Sequence, residues 1–327
     1  MKAAFFRSPG PDTGKQALVL IAKGFCMGCA DIIPGVSGGS IALIAGIYPQ
    51  LLAAIRSFDL EFIRRILTGK FSAALEGVHL RFLLVLVTGI LFALFAFAGL
   101  MNYLLNYRPV ETFSAFFGLM AASLYVVGRQ VKWAVPPVLF FVAGTVCAWF
   151  LVGLVPVTTP HTLAYIFGSS VVAICAMILP GISGSFILLI LGKYEFLISV
   201  LKSPFAVNEV MGMRNMVIIL VFACGVVTGL AAFTRFLRWI LARWYNLTLA
   251  YLVGLIAGSL RRIWPWKGEA LTRVIQGKEY VVSQKNALPA DFDGTFFLSL
   301  GLMIIAAVAL ILLERAAAGK TEKPEVW

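Results

Sequence analysis

The sequence predicts an all-α polytopic membrane protein built as an inverted-topology repeat, each half a re-entrant helical hairpin followed by about three transmembrane helices. Three observations predict it. Apolar residues make up 61% of the 327 and charged residues only 13%, with a mean hydropathy of +0.94, well outside the range of soluble globular chains. The chain also carries one segment twice: Ala30 to Tyr48 and Ala176 to Tyr194 share a Pro-Gly-x-Ser-Gly core inside apolar surroundings. Finally, an odd number of spans separates the two copies, so the second enters the membrane from the face opposite to the first.

The repeat reads residue by residue. At an offset of 146, Ala30, Pro34, Gly35, Ser37, Gly38, Ile41, Leu43, Ile44, Gly46, Tyr48 and Leu51 each recur in the second copy. Downstream the likeness resumes at an offset of 136, where Gly89 faces Gly225, Phe97 faces Phe233, and the segment ending at Leu124 faces the one ending at Leu260. Self-similarity over more than a hundred residues marks a duplicated half, not a solenoid.

Residues 1–16, with Lys2, Arg7, Pro9, Pro11 and Lys15, form a cytoplasmic N-terminal segment without the long apolar core of a cleavable signal. The first repeat covers 17–157, with a re-entrant hairpin at 17–52 and spans at 80–105, 112–127 and 134–157. The second covers 158–313, with a hairpin at 163–201 and spans at 214–240, 248–260 and 295–313, and a tail follows at 314–327. Each hairpin is interrupted near its middle, leaving halves too short to cross a hydrocarbon core of about 30 Å. Non-helical backbone at that depth is tolerated where protein buries it or where it lines a polar cavity.

A net charge of +12 does not imply nucleic acid, because the basic residues lie between apolar spans, where topology and anionic lipid account for them. The N-terminus, the Arg56 to Arg81 loop, the Arg129/Lys132 turn and the Arg235/Arg238/Arg243 cluster fall on one side, placed in the cytoplasm. The loop after Leu260, with Arg261, Arg262, Lys267, Arg273, Lys278 and Lys285, cuts against that placement.

A Gly-rich turn that opens a helix presents unpaired N–H groups at the positive end of the helix dipole. Gly35, Ser37, Gly38, Gly39 and Ser40 in the first copy, and Gly181, Ser183, Gly184 and Ser185 in the second, are therefore candidates to hold a phosphate or carboxylate. The bland alternative is that the small residues only let helices pack closely. Asp31, whose counterpart is Met177, should face a cavity or a partner. Lys23, eight residues earlier, is a candidate partner for it or a second phosphate contact. Cys26 and Cys29 lack the further ligands a metal or redox site needs, and His79 and His161 are single, so no metal and no cofactor is expected. Trp264, Pro265 and Trp266 read as an interfacial anchor.

Gly24 to Ser40, its echo at Leu179 to Tyr194, and Leu260-Arg261-Arg262-Ile263-Trp264-Pro265-Trp266-Lys267 together resemble the bacterial family called domain of unknown function 368, associated with polyprenyl-phosphate transport. The resemblance covers nearly the whole chain. It implies a multi-pass protein of the bacterial cytoplasmic membrane that returns undecaprenyl phosphate to the inner leaflet, with motif positions at Lys23, Asp31, Pro34, Gly35, Ser37, Gly38, Gly39 and Ser40. Ser40 stands where the family usually has Thr, which keeps the hydroxyl. Membrane lipids are the surroundings and the polyprenyl phosphate lipid the cargo, with Asp31 a candidate group for coupling to protons or another ion. No G-x-x-x-x-G-K-[ST] loop points to ATP. The rivals are a small-anion channel or exchanger and an integral-membrane lipid phosphatase. Two isolated histidines do not supply the acid–base groups the latter requires, so an enzyme is not expected.

Overall fold

The computed structural model describes residues 8–32, 37–157, 159–202, 209–275, 278–289 and 292–318. Helix α1 (Gly14–Ile32) is the long arm of the first hairpin. A short α2 (Gly38–Ile44) returns along it, and α3 (Tyr48–Arg56) leaves at 118° to α2. The second copy repeats this triplet as α9 (Leu163–Ile178), α10 (Gly184–Ile190) and α11 (Tyr194–Lys202), with a bend of 106°.

The bend after each short helix was not anticipated, and its cause is local. Gly46 and Gly192 adopt φ of 69° and 63°, a left-handed conformation open to glycine at no steric cost. The surrounding backbone bonds match in both copies. Ile47 N donates to Ala42 O (3.0 Å) and Lys193 N to Leu188 O (2.8 Å), while Gly46 N donates to Leu43 O (3.2 Å) and Gly192 N to Leu189 O (3.0 Å). This is a Schellman ending, which satisfies the last carbonyls and reverses the chain.

Between the triplets lie α4 (Leu60–Leu67), α5 (Phe71–Gly77), α6 (Leu80–Tyr107), α7 (Pro109–Gly128) and α8 (Val135–Leu151). The stretch 57–80 is thus partly helical instead of a plain loop. Asp59 caps α4 by accepting from Phe62 N at 2.9 Å, and Glu61 pairs with Arg65 at 3.1 Å. After the second triplet come α12 (Glu209–Arg243), α13 (Tyr245–Ser259), strands β1 (Lys267–Ile275) and β2 (Lys278–Asn286), and α14 (Gly294–Ala318). Segments within α6, α7, α12 and α14 are long and apolar enough to cross a membrane, whereas α8, α9 and α13 are shorter. The expected span 134–157 ends early because Gly153 and Pro156 follow the last turn of α8.

The antiparallel pair β1–β2, with Ala270 opposite Gln284 and Ile275 opposite Lys278, corrects the all-α expectation locally. Its strands are rich in β-branched and aromatic residues, Thr272, Val274, Ile275, Tyr280, Val281 and Val282, which favour extended backbone over helix. Among the described residues the two strands pair only with each other, and no sheet enters the core.

Helix packing is duplicated as the sequence is. Helix α1 lies on α6 and α9 on α12; α7 lies on α14 and α8 on α13. The missing side chain of Gly89 lets α6 approach Ile21 of α1, and that of Gly225 lets α12 approach Phe167 of α9. The two contacts are related by the same offsets as the sequence repeat. Gly118 likewise admits the backbone of Met303, and Gly254 that of Phe141. Small residues at such crossings are what permit close packing where the surrounding medium is as apolar as the side chains.

Candidate functional site

The two turns meet. Ser40 Oγ of the first copy accepts from Gly181 N of the second at 2.7 Å, both groups being buried. Tyr48 Oη donates to Ile178 O at 3.0 Å, and Ser37 Oγ lies 3.5 Å from both Met177 O and Leu179 O. The carbonyls at the end of α9, which no later turn of that helix can satisfy, are therefore met by hydroxyls of the first copy. Gly39 stands beside them: a Cβ there would come within 3.0 Å of Ile178 O and 3.1 Å of Met177 O.

Within the first hairpin the candidate donors are already engaged. Asp31 Oδ1 accepts from Gly38 N at 2.7 Å, and Ser37 Oγ accepts from Gly39 N at 3.2 Å. A carboxylate so placed satisfies an orphan amide at the start of α2 and faces the positive end of its dipole. Lys23 Nζ donates to Ala45 O at 2.8 Å, at the other end of α2, and among the described residues it forms no ion pair with Asp31. The expected Lys23–Asp31 pairing is thus replaced by two separate contacts. Gly35 and Pro34 lie outside the described residues.

The second turn is organised differently. Met177 replaces the carboxylate, Ser183 makes no capping bond, and Ser183 Oγ and Ser185 Oγ are instead 2.8 Å apart. Tyr48 is 2% exposed, whereas its counterpart Tyr194 is 39% exposed, so the second copy does not return the grip that the first exerts. Gly38 and Gly184 are packed against their own long arms. A Cβ at Gly38 would reach Asp31 Oδ2 at 2.6 Å, and one at Gly184 would reach Ala173 O at 2.7 Å.

Next to the second turn stands the segment after α13. Gly181, at φ 87°, is pressed against Leu255 O and Ser259 Oγ. Arg262 places its guanidinium carbon 5.0 Å from the ring centre of Phe186, the residue that follows Ser185. Arg261 stacks over Trp149 at 4.7 Å and donates to Trp149 O at 2.9 Å. Lys267 Nζ donates to Arg262 O at 3.0 Å and Asn286 Oδ1 at 2.7 Å, and lies 3.4 Å from Arg261 O. Burial, with the charges of Arg262 and Arg261, pushes Lys267 down to about 8. Trp264 packs edge-on against Phe117 and donates to Ala287 O at 2.8 Å, so the Trp-Pro-Trp segment seats the strands on α7 and the approach to α14.

A cleft of about 660 Å³ opens elsewhere, between the starts of α9 and α12, lined by His161, Leu163, Met213, Arg214, Val217 and Ile218 among others. Beside it, the buried Lys193 donates to Thr159 O (2.8 Å), Pro160 O (2.6 Å) and His161 Nδ1 (3.2 Å). His161 also stacks on Phe196 at 4.1 Å.

A family model described as undecaprenyl phosphate translocase-like matches residues 27–281. Two curated relatives are named polyprenyl-phosphate transporter. That of Vibrio cholerae serotype O1 is 37% identical over 304 residues, covering 90% of this chain and 95% of the relative. That of Staphylococcus aureus is 29% identical over 262 residues, covering 75% and 85%. The chain belongs to the undecaprenyl phosphate translocase-like family. No solved structure matches it.

Membership in the translocase-like family agrees with the resemblance read from the motifs, and the matched residues include both turns and the Arg261–Lys267 segment. The structure brings Ser37, Gly39 and Ser40 of the first candidate turn against Gly181 and the end of α9 in the second copy. Sequence reasoning missed the contacts of Lys193 with His161 and the approach of Arg262 to the second turn. The available signal was asymmetry: Lys193 stands where the first copy has Ile47, and Arg262 where it has Val126.

Proposed function

We propose that this protein carries polyprenyl phosphate between the two leaflets of a bacterial cytoplasmic membrane, holding the phosphate at the paired turns while the prenyl chain stays in lipid. The single observation that carries the reading is the Ser40–Gly181 bond, which ties the two broken helices together at one place. A bare phosphate is too costly to draw through hydrocarbon, whereas the prenyl tail is at home there. Backbone broken at membrane depth is the known means by which duplicated transporters build a polar site.

The duplicated packing of α1 on α6 with α9 on α12, and of α7 on α14 with α8 on α13, is what a pseudo-twofold relation between inverted halves requires. Rocking of one half against the other about the joined turns would then open the site to each leaflet in turn. Candidate headgroup residues are Lys23, Asp31, Gly35, Ser37, Gly38, Gly39 and Ser40 with Gly181, Ser183, Gly184 and Ser185. Asp31 and Ser37 reach the site through the first turn's own hydrogen bonds, so they shape it, while Ser183 and Ser185 carry the freer hydroxyls.

The test is reconstitution into proteoliposomes loaded with polyprenyl phosphate in both leaflets, followed by an impermeant phosphatase added outside. Full digestion with protein and half digestion without it is the expected result. Half digestion in both cases would overturn the reading, and chloride or phosphate efflux from the same vesicles would favour an anion channel.

A further inference from the structure

The Arg261–Lys267 segment carries three cations, and two of them are fastened away from the second turn. Arg261 is held by Trp149 through its ring and its carbonyl, and Lys267 by backbone carbonyls and Asn286. Arg262 is different. Its guanidinium is half-buried, rests on Phe186, and makes no hydrogen bond or ion pair among the described residues. Stacking on a ring face leaves the guanidinium edge, with its five N–H donors, free to meet a planar or tetrahedral oxyanion. Among the described residues no Arg262 nitrogen is both sealed from water and unpartnered, so the guanidinium keeps solvent-reachable N–H donors that an oxyanion can take up.

Position narrows the anion. Phe186 adjoins Ser185, and Ser259, one turn before Arg262, touches Gly181. The guanidinium therefore belongs to the start of α10 in the second copy, not to the turn closed by Asp31. The long backbone clamp of Lys267 on Arg261 O and Arg262 O fixes the segment that carries it. The first copy has Val126 at the equivalent place, so the site is one-sided despite the repeat.

Resting on the transport reading above, we infer that Arg262 is the cationic contact for the phosphomonoester headgroup, pairing with it through two parallel N–H donors beside Ser183 and Ser185. Bidentate guanidinium–phosphate pairs are among the stronger hydrogen-bonded contacts, and losing one weakens binding by about tenfold to a hundredfold.

The experiment measures binding of geranylgeranyl phosphate and of neutral geranylgeraniol to the detergent-purified full chain. It compares wild type with Arg262→Met, Arg262→Gln and Arg262→Lys. Arg262→Met and Arg262→Gln should each weaken the phosphate about tenfold or more and leave the alcohol unchanged, with Arg262→Lys in between. Equal loss for both ligands would assign Arg262 a packing role, and an unchanged phosphate affinity would remove it from the site. Should Arg262→Met fail to fold, Arg262→Lys and Arg262→Gln still decide by the same ratio. Wild-type protein that binds the phosphate yet moves none across vesicles would refute the transport reading and leave this contact standing.

Discussion

Lys23 and Asp31 grip opposite ends of one short helix. Asp31 accepts from Gly38 N at the start of α2, and Lys23 donates to Ala45 O just past its end. Eight residues of α1 rise about 12 Å, and the seven residues of α2 running back alongside nearly match that length. The negative side chain faces the positive end of the helix dipole and the positive one faces the negative end.

This geometry separates two independent contacts from an ion pair. Asp31→Ala should cost about 0.5–2 kcal/mol, the range for a lost N-terminal cap, and Lys23→Met about 1 kcal/mol for a lost hydrogen bond. Because the two contacts share no partner, the double variant should show the sum, with a coupling below about 0.5 kcal/mol. Unfolding of the four proteins in detergent measures it, and a coupling of 2 kcal/mol or more would mean the charges act on each other.

Ser40→Ala removes the only acceptor shown for the buried Gly181 N–H among the described residues. An orphaned buried donor costs about 1–3 kcal/mol, so the melting temperature should fall. Transport should fall with it, because the turns are no longer joined. Ser185→Ala, at an exposed hydroxyl, should shift stability by less than about 0.5 kcal/mol while still lowering headgroup affinity. Equal destabilisation by both changes would count against this division of labour.

The membrane class and the hairpins were legible in the sequence because apolar spacing and Pro-Gly-x-Ser-Gly breaks act locally. The second bend was encoded equally locally, in Gly46 and Gly192, yet its meaning required knowing that each short helix ends just before them. Lys23 and Asp31 misled because proximity along one helix suggests a pair. What decides is the return path of α2, which sets each beside a different helix end. Arg262 was legible as a basic loop residue within a family motif but not as a neighbour of the second turn, since its approach to Phe186 depends on how α13 ends against Gly181, contacts 74 and 78 positions removed in sequence. Strands β1 and β2 were missed because a long basic stretch between spans was judged by charge, not by its β-branched residues.

Glycine replacements should not be equivalent in the two copies. A Cβ at Gly38 meets a carboxylate on a side chain that can turn away, whereas one at Gly184 meets the backbone carbonyl of Ala173. Gly184→Ala should therefore destabilise by about 1–3 kcal/mol, as overpacking does, and Gly38→Ala by less. Adding Asp31→Ala to Gly38→Ala should recover part of the steric cost but not the cap. Melting curves that rank Gly38→Ala as the worse change would show that Asp31 is rigidly held.

The last prediction concerns pH. Lys193 Nζ is a donor only, so at 3.2 Å it requires His161 Nδ1 as acceptor, which fixes the neutral ring with its proton on Nε2. Burial, and the charges of Lys193 and Arg214, hold His161 below its ordinary value of 6.5. The unfolded chain then binds more protons than the folded one in the window just below pH 6.5, so stability falls as pH drops through that window. His161→Gln, whose amide oxygen can still accept from Lys193, should remove this slope while leaving stability at pH 7.5 nearly unchanged. Ring ¹⁵N shifts that report the Nδ1–H tautomer at pH 7.5, or a melting temperature equally pH-dependent in the variant, would break the link between His161 and the buried lysine.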